Sequence, residues 1–412
     1  MSDDMNDSSD SDSSADIEYL RTLRPSPAST DLTSQASSEE QTPYNFENSQ
    51  FPEWLVDDVS DRENREPAPG PSFDESRSYY YITIDKVPFP GEIIPIHVTN
   101  PERRENVRKA ESDSRRLIIC CDYGMDGSPT FGRIGYYSVI DYCKGTVSEV
   151  KCVVEIKKRV RILSTVDENG ETSGELIRNK CFAKIEEEDV MPDPCLHNVS
   201  RWTSTSRNRQ RNYALEYANI NKELCEYHRT FGLSGIVSHL KRWFSEEKVK
   251  RKVSEGITSF VYWAASSFPT TSDLKRDIIN TNSPELRLRH LYEVLKEMTA
   301  GVCAGCETVI FDISDQFMYN NPKGSIHVNP HGHLHDIITL SKIKNFVRNS
   351  YAVNENFSWF PGYGWDIVCC EVCGNHIGWY FESSTFTPNS FFAATRDSYR
   401  IKQREEHNDE PT

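Results

Sequence analysis

Between Tyr79 and about Ile185 the apolar residues come in short β-branched or aromatic runs: Tyr79-Tyr-Tyr-Ile-Thr-Ile84, Leu117-Ile-Ile-Cys-Cys121, Arg133-Ile-Gly-Tyr-Tyr137 and Lys151-Cys-Val-Val-Glu-Ile156. Gly124, Gly127, Gly132, Gly145 and Gly170 punctuate their ends. This texture predicts a twisted, mostly antiparallel sheet. Val160-Arg-Ile-Leu163 alternates, and Asp167-Glu-Asn-Gly170 offers a hairpin turn. One charged helix is expected over 101–112, opened by Pro101. From about 205 to 300 the period changes to that of a helix. Ile236, Leu240, Trp243 and Phe244 share one stripe; Val253, Ile257, Phe260, Val261 and Ala264 share another, ended by Pro269. Ser283-Pro284 reads as an N-cap and first helical residue, and Leu288, Leu291, Tyr292, Leu295 and Met298 carry that apolar face to Gly301. The last ordered stretch, about 301–400, returns to strands and turns. Ile377-Gly-Trp-Tyr-Phe381 is expected as a strand with Trp379 and Phe381 on one face and Tyr380 on the other.

Residues 1–78 are rich in Ser, Asp, Glu, Asn and Pro, and a polar tail occupies 401–412. The first segment has too few aliphatics to offset its ordering entropy and is expected to be disordered. Within it, Trp54-Leu-Val56 is either a short docking motif or, as the better reading, local stickiness. The chain has 412 residues and a formal net charge of −16, which argues against a nucleic-acid partner for the chain as a whole. The basic cluster Lys248, Lys250, Arg251 and Lys252 beside Glu246 and Glu247 therefore reads as a solvated helix face. No apolar run suits a membrane span, and the acidic start does not resemble a signal peptide, so a cytoplasmic and nuclear location is expected. Eight cysteines, Cys120, Cys121, Cys143, Cys152, Cys181, Cys195, Cys225 and Cys369, show no ligand spacing and are expected as reduced thiols.

The other four form two Cys-x-x-Cys pairs, Cys303/Cys306 and Cys370/Cys373. Each such turn aims both sulfurs at one point, and four thiolates suit one tetrahedral zinc ion. An all-sulfur site is closed and holds no water to activate, so its expected role is structural. Around the second pair lies Trp359-Phe-Pro-Gly-Tyr-Gly-Trp365, followed by His376-Ile-Gly-Trp379-Tyr-Phe381. Three of the chain's seven tryptophans thus fall between positions 359 and 379. They are either core filler for a small zinc domain or the walls of an aromatic pocket, and pattern alone leaves the two even. A pocket without a nearby carboxylate suits a neutral ring with an N–H and carbonyls better than a methylated ammonium.

With Asn329-Pro-His-Gly added upstream, these motifs resemble, in order and spacing, the C-terminal CULT domain of the cereblon family. Val87-Pro-Phe-Pro-Gly91 followed by Ile93-Ile-Pro-Ile96 resembles, more weakly, the opening of the LON N-terminal-like domain. The resemblance implies a divergent or invertebrate-like member of α+β class. Its parts would be a disordered tail (1–78), a β-rich LON N-terminal-like domain with a helical bundle (79–300, the helical layer at about 205–300), and a zinc-binding β-tent (301–400). It further implies a substrate receptor of a cullin-4 RING ubiquitin ligase. Its helical layer would dock on the β-propeller adaptor, damaged-DNA-binding protein 1, and through it reach cullin-4 and a RING protein. Cyclic imides or imide degrons on protein substrates would bind Trp359, Trp365 and Trp379, supported by Phe381 and Phe357, with Asn329, Pro330 and His335 from the facing loop. This chain departs from the family pattern at Phe357, where a His is usual, and at His333, where a Tyr is usual.

Other classes leave weaker traces. The chain lacks the Gly-x-x-x-x-Gly-Lys-Ser/Thr phosphate loop, and no serine–lysine protease pattern stands out. A reductase of methionine-sulfoxide type would need a reactive thiol, for which Cys369 is the sole non-ligand candidate near the pocket. A zinc-dependent reader of a methylated ammonium group is the remaining binding alternative, and a zinc-ribbon nucleic-acid module conflicts with the acidic charge.

Overall fold

The computed structural model describes residues 73–124, 129–167, 179–188, 246–317, 324–350 and 352–403, with the backbone of Thr42–Pro43. The Trp54 motif, the Ile236–Phe244 stripe, most of the Asp167–Gly170 turn, Cys195, Cys225 and the C-terminal tail from 404 lie outside these residues.

The first half is a sheet that closes on itself. Its strands are β1 (Tyr79–Thr83), β2 (Ile93–Val98), β3 (Arg116–Cys120), β4 (Ile134–Gly145), β5 (Val150–Val166) and β6 (Lys180–Ile185). They run in the order β2-β5-β4-β3-β1-β6, and β6 pairs again with the long strand β5. All pairings are antiparallel except β1 with β3. That one parallel step needs a crossover, supplied by α1 (Pro101–Asp113). Asn100 caps α1, its Oδ1 accepting from the amides of Glu102 and Arg103 at 3.0 and 3.1 Å. Val107 and Ala110 face the barrel and are fully buried. Cys120, Cys121, Cys143, Cys152 and Cys181 are buried free thiols of this barrel, as expected.

Among the described residues four helices follow: α2 (Glu246–Ser254), α3 (Ile257–Ser267), α4 (Ser272–Asn280) and α5 (Pro284–Glu297). The single stripe predicted from Val253 to Ala264 is in fact split. Gly256 sits at φ +104°, a conformation an L-residue resists, and the chain turns there between α2 and α3. The Ser283 cap holds as expected, its hydroxyl accepting from Leu286 N. The apolar face predicted to reach Gly301 stops earlier: the helix ends at Glu297, and Met298 opens β7 (Met298–Cys303). Helical periodicity misled here because Met298 is buried in either state.

The C-terminal region has two sheets. One orders β15 (Tyr399–Gln403), β7 and β8 (Val309–Asp312); the other orders β9-β10-β14-β13-β12-β11. In the latter, β9 is Ile326–Val328, β10 Leu334–Leu340, β11 Phe346–Arg348, β12 Gly364–Cys370, β13 His376–Glu382 and β14 Ser390–Thr395. A two-residue parallel pairing joins Thr42–Pro43 to Phe386–Thr387.

The helices and this region are tied through buried charge. The Asp336 carboxylate on β10 accepts from Lys275 Nζ at 2.6 Å, Ser325 Oγ at 2.6 Å and Arg396 Nε at 2.9 Å. The same guanidinium donates to the carbonyls of Ser266, Phe268 and Thr270 at 2.6–2.7 Å. Phe89 of the Pro-Phe-Pro motif lies against this clasp, stacked on Tyr262 with Lys275 above its ring. Burial alone would raise the Asp336 pKa, but the two cations hold it well below the usual carboxylate range.

Candidate zinc and aromatic-pocket site

Both knuckles are built alike. Cys303 ends β7 and Cys370 ends β12, so each first sulfur leaves a strand at a defined angle. The residue after each second cysteine is left-handed, Glu307 at φ +61° and Gly374 at φ +75°. Its amide donates back to the carbonyl of the first cysteine, at 2.9 Å in both turns. Gly305 leaves room for the opposite knuckle, since a Cβ there would meet Asn375 and come within 3.4 Å of Cys373 Sγ. All four sulfurs lie within 4.8 Å of one another, with Cys303–Cys373 and Cys306–Cys370 at 3.6 Å. Tetrahedral zinc with bonds of about 2.3 Å requires sulfurs about 3.8 Å apart, so the four fit one structural zinc ion. Cys369 is outside this group: it is half-buried on β12, between Val347 and His376 on the flanking strands. Burial pushes its thiol pKa up, the opposite of what a nucleophile needs.

Across the sheet from the knuckles lies an aromatic cluster of Trp359, Phe360, Tyr363, Phe381 and Phe391, with Trp365 and Trp379 at its edge. Trp359 is 7% exposed, and its indole N–H donates to Val328 O at 2.8 Å. Trp379 meets it edge-to-face, centroids 4.6 Å apart. Trp365 makes no ring contact with either among the described residues; its N–H is held by Asn356 O at 2.8 Å. Two indoles therefore pack together while the third is anchored separately. Trp359 is buried, while Trp365 and Trp379 stay half-buried. Strand alternation behaves as predicted on β13. Trp379 and Phe381 face Trp359, whereas Tyr380 packs on Phe392 of the zinc-side core.

His335 joins the pair, with ring centroids 5.5 Å from Trp359 and 4.9 Å from Trp379. Asn329 and Pro330 are half-buried in the turn before it. The Asn329 side chain is spent within that turn, accepting from the amides of His331 and His333 at 3.0 and 2.9 Å. Gly332 in this turn packs so tightly on the barrel that a Cβ would lie 2.6 Å from His97 O. Phe357 is exposed and left-handed, φ +57°, an uncommon state for an aromatic residue.

Sequence reasoning gave no role to two histidines of the cluster. His327 is stacked on Trp359 at 5.2 Å, and His376 meets Trp379 edge-on at 4.8 Å. His327 stands directly across from His335 in the β9–β10 register, a relation that no local spacing reveals. Burial lowers the His327 pKa to about 4; burial, then neighbouring His376 and Lys86, lower that of His335 to about 3. Both rings are neutral at neutral pH. Asp366, next to Trp365 in sequence, points to the other side of β12, where Arg348 Nε binds it at 2.9 Å.

The chain belongs to the family defined by the ATP-dependent protease La (LON) substrate-binding domain, whose model matches residues 80–297. More particularly, it is similar to proteins named cereblon. That of Drosophila erecta is 23% identical over 359 residues, covering 82% of this chain and 60% of the relative. That of Drosophila melanogaster is 24% identical over the same shares. The chain thus spans about 60% of the length of these relatives. The N-terminal domain of a Mycobacterium avium complex Lon protease aligns with 53% of this chain and 97% of its own, at 16% identity and a TM-score of 0.33. The resemblance to cereblon drawn from the motifs is borne out by these relatives. No helix among the described residues is long and apolar enough to cross a membrane.

Proposed function

We propose that this protein is a non-catalytic substrate receptor of a cullin-4 RING ubiquitin ligase. On this reading it holds a cyclic imide, as a small ligand or a degron on a protein, at Trp359, Trp365 and Trp379. The supporting observation is the cluster's chemistry: indole faces edged by neutral histidines, with the carboxylate beside Trp365, Asp366, turned away and paired. A methylated ammonium would need negative charge that this wall does not supply. An imide needs only apolar faces and backbone hydrogen-bonding groups, which the Asn356–Trp359 segment carries. The reductase alternative is weakened by the raised pKa of Cys369. The adaptor would be damaged-DNA-binding protein 1, recruited by the helical layer, as the resemblance implies.

Calorimetry on the full chain tests the pocket. Glutarimide should bind, N-methylglutarimide should bind weakly because it cannot donate, and trimethyl-lysine should not bind. Trp365→Ala should cost about 2 kcal/mol of imide affinity, about 30-fold. Equal affinity for both imides would sink the hydrogen-bonded model. Purification from cells tests the assembly: the β-propeller adaptor should co-purify in stoichiometric amount, and its absence would overturn the receptor reading.

A further inference from the structure

Between the helices and the C-terminal sheet lies a cavity of about 170 Å³ that the proposed function does not use. Its size is that of a single ring; an apolar cavity of about 150 Å³ admits benzene. The space exists because small residues face it. Ser259 and Ser266 fall on one side of α3, and Gly91 and Gly324 come from the opposing loops. Phe89, Trp263, Phe317 and Ile337 give it apolar walls. Ile337 also belongs to the aromatic cluster, so this chamber and the tryptophan site are back to back.

The charge at the cavity is unusual for this chain. Lys248, Arg251 and Lys252 of α2 line it, within a protein of net charge −16. These belong to the basic cluster that the sequence presented as a solvated helix face. The one carboxylate among the described lining residues, Glu92, is already engaged by Ser266 Oγ and by Phe89 N, the latter at 2.9 Å. Lys252 is paired with Glu255 at 2.8 Å. The Arg251 guanidinium has no carboxylate partner among the described residues. A guanidinium lining a ring-sized chamber with mixed polar and apolar walls matches a carboxylate or phosphate carried on an aromatic ring.

We propose that this chamber is a second ligand site, for a small aromatic carboxylate or phosphate. The ring occupies the space against Trp263 and Phe89, and Arg251 holds the anion. The site is independent of the imide reading and touches elements of both halves of the molecule.

Calorimetry on the full chain with phenyl phosphate and with benzoate tests it, phenol being the neutral control. One saturable site is expected for at least one anion, with phenol at least about tenfold weaker, as a charge-assisted hydrogen bond would make it. Arg251→Ala should lower anion affinity by about tenfold or more, with partial recovery in Arg251→Lys. Ser259→Phe, at an exposed position, should fill the chamber and abolish binding while leaving the thermal midpoint unchanged. Trp365→Ala should have no effect. No saturable binding of either anion, equal binding of phenol, or unchanged affinity in Arg251→Ala would each overturn the proposal. Loss in Trp365→Ala with retention in Ser259→Phe would do so too, by placing the ligand in the tryptophan site.

Discussion

At the zinc knuckles each pair of sulfurs is delivered by one short turn, and the two turns share one geometry down to the left-handed residue that closes them. At the tryptophan site the walls arrive separately. His327 comes from β9, His335 from β10, Trp359 from a loop, Trp365 from β12 and Trp379 from β13. The first site has its geometry built into a few residues and asks the fold only to bring two turns together. The second has no geometry until strand register is set. It also depends on the barrel, since its facing turn is packed on His97 and its strand β10 is clamped through Asp336 to the helices. The difference predicts that damage to the knuckles should unfold the region around them, while damage to the helix clasp should reach the tryptophans without removing the metal.

The largest effect belongs to the metal. Chelation or Cys370→Ser should unfold the C-terminal region, since a structural zinc contributes on the order of 10 kcal/mol. Elemental analysis should give one zinc per chain, and a variant that melts like the wild type would break the comparison at its root. Next comes the clasp: Asp336→Ala leaves Lys275 and Arg396 buried without their anion. A loss of about 3–5 kcal/mol in denaturant unfolding is expected, with zinc retained and tryptophan fluorescence altered. Zinc loss in that variant would show that the two sites are not separable.

The third expectation concerns pH. In the unfolded chain histidine takes up its proton near pH 6.5. In the folded protein His327 waits until about pH 4 and His335 until about pH 3. Between these values the unfolded state binds more protons, so stability falls as pH drops from about 6.5 towards 4. Thermal midpoints across that range should show the slope, and His327→Gln should flatten it; an unchanged slope would mean that other groups control it. The smallest effect is at Phe357. A left-handed non-glycine residue costs roughly 1–2 kcal/mol, and glycine's greater unfolded-state freedom offsets roughly 0.5–1 of that. Phe357→Gly should therefore stabilise by about 0.5 kcal/mol. A destabilised variant would mean that the phenyl ring holds the loop by contacts worth more than the strain.

Local pattern carried further in some elements than others. Short β-branched and aromatic runs marked the barrel strands, the Ser283 cap started α5, and period-two placement put Trp379 and Phe381 on one face, because each depends on neighbours within a few residues. Pattern failed where two backbone states bury the same side chain, as at Met298, and where one glycine decided a break, as at Gly256. By itself the sequence determined the ligand set of the metal from its spacing and the succession of strand and helix stretches from their periodicity, while the α+β class came from the resemblance its motifs carry. Only the tertiary structure decided that His327 stands opposite His335, that Asp366 turns away from the tryptophans, and that Lys275 and Arg396 meet at Asp336. Those relations join residues remote in sequence, and their partners are chosen by strand register and helix packing rather than by anything encoded nearby.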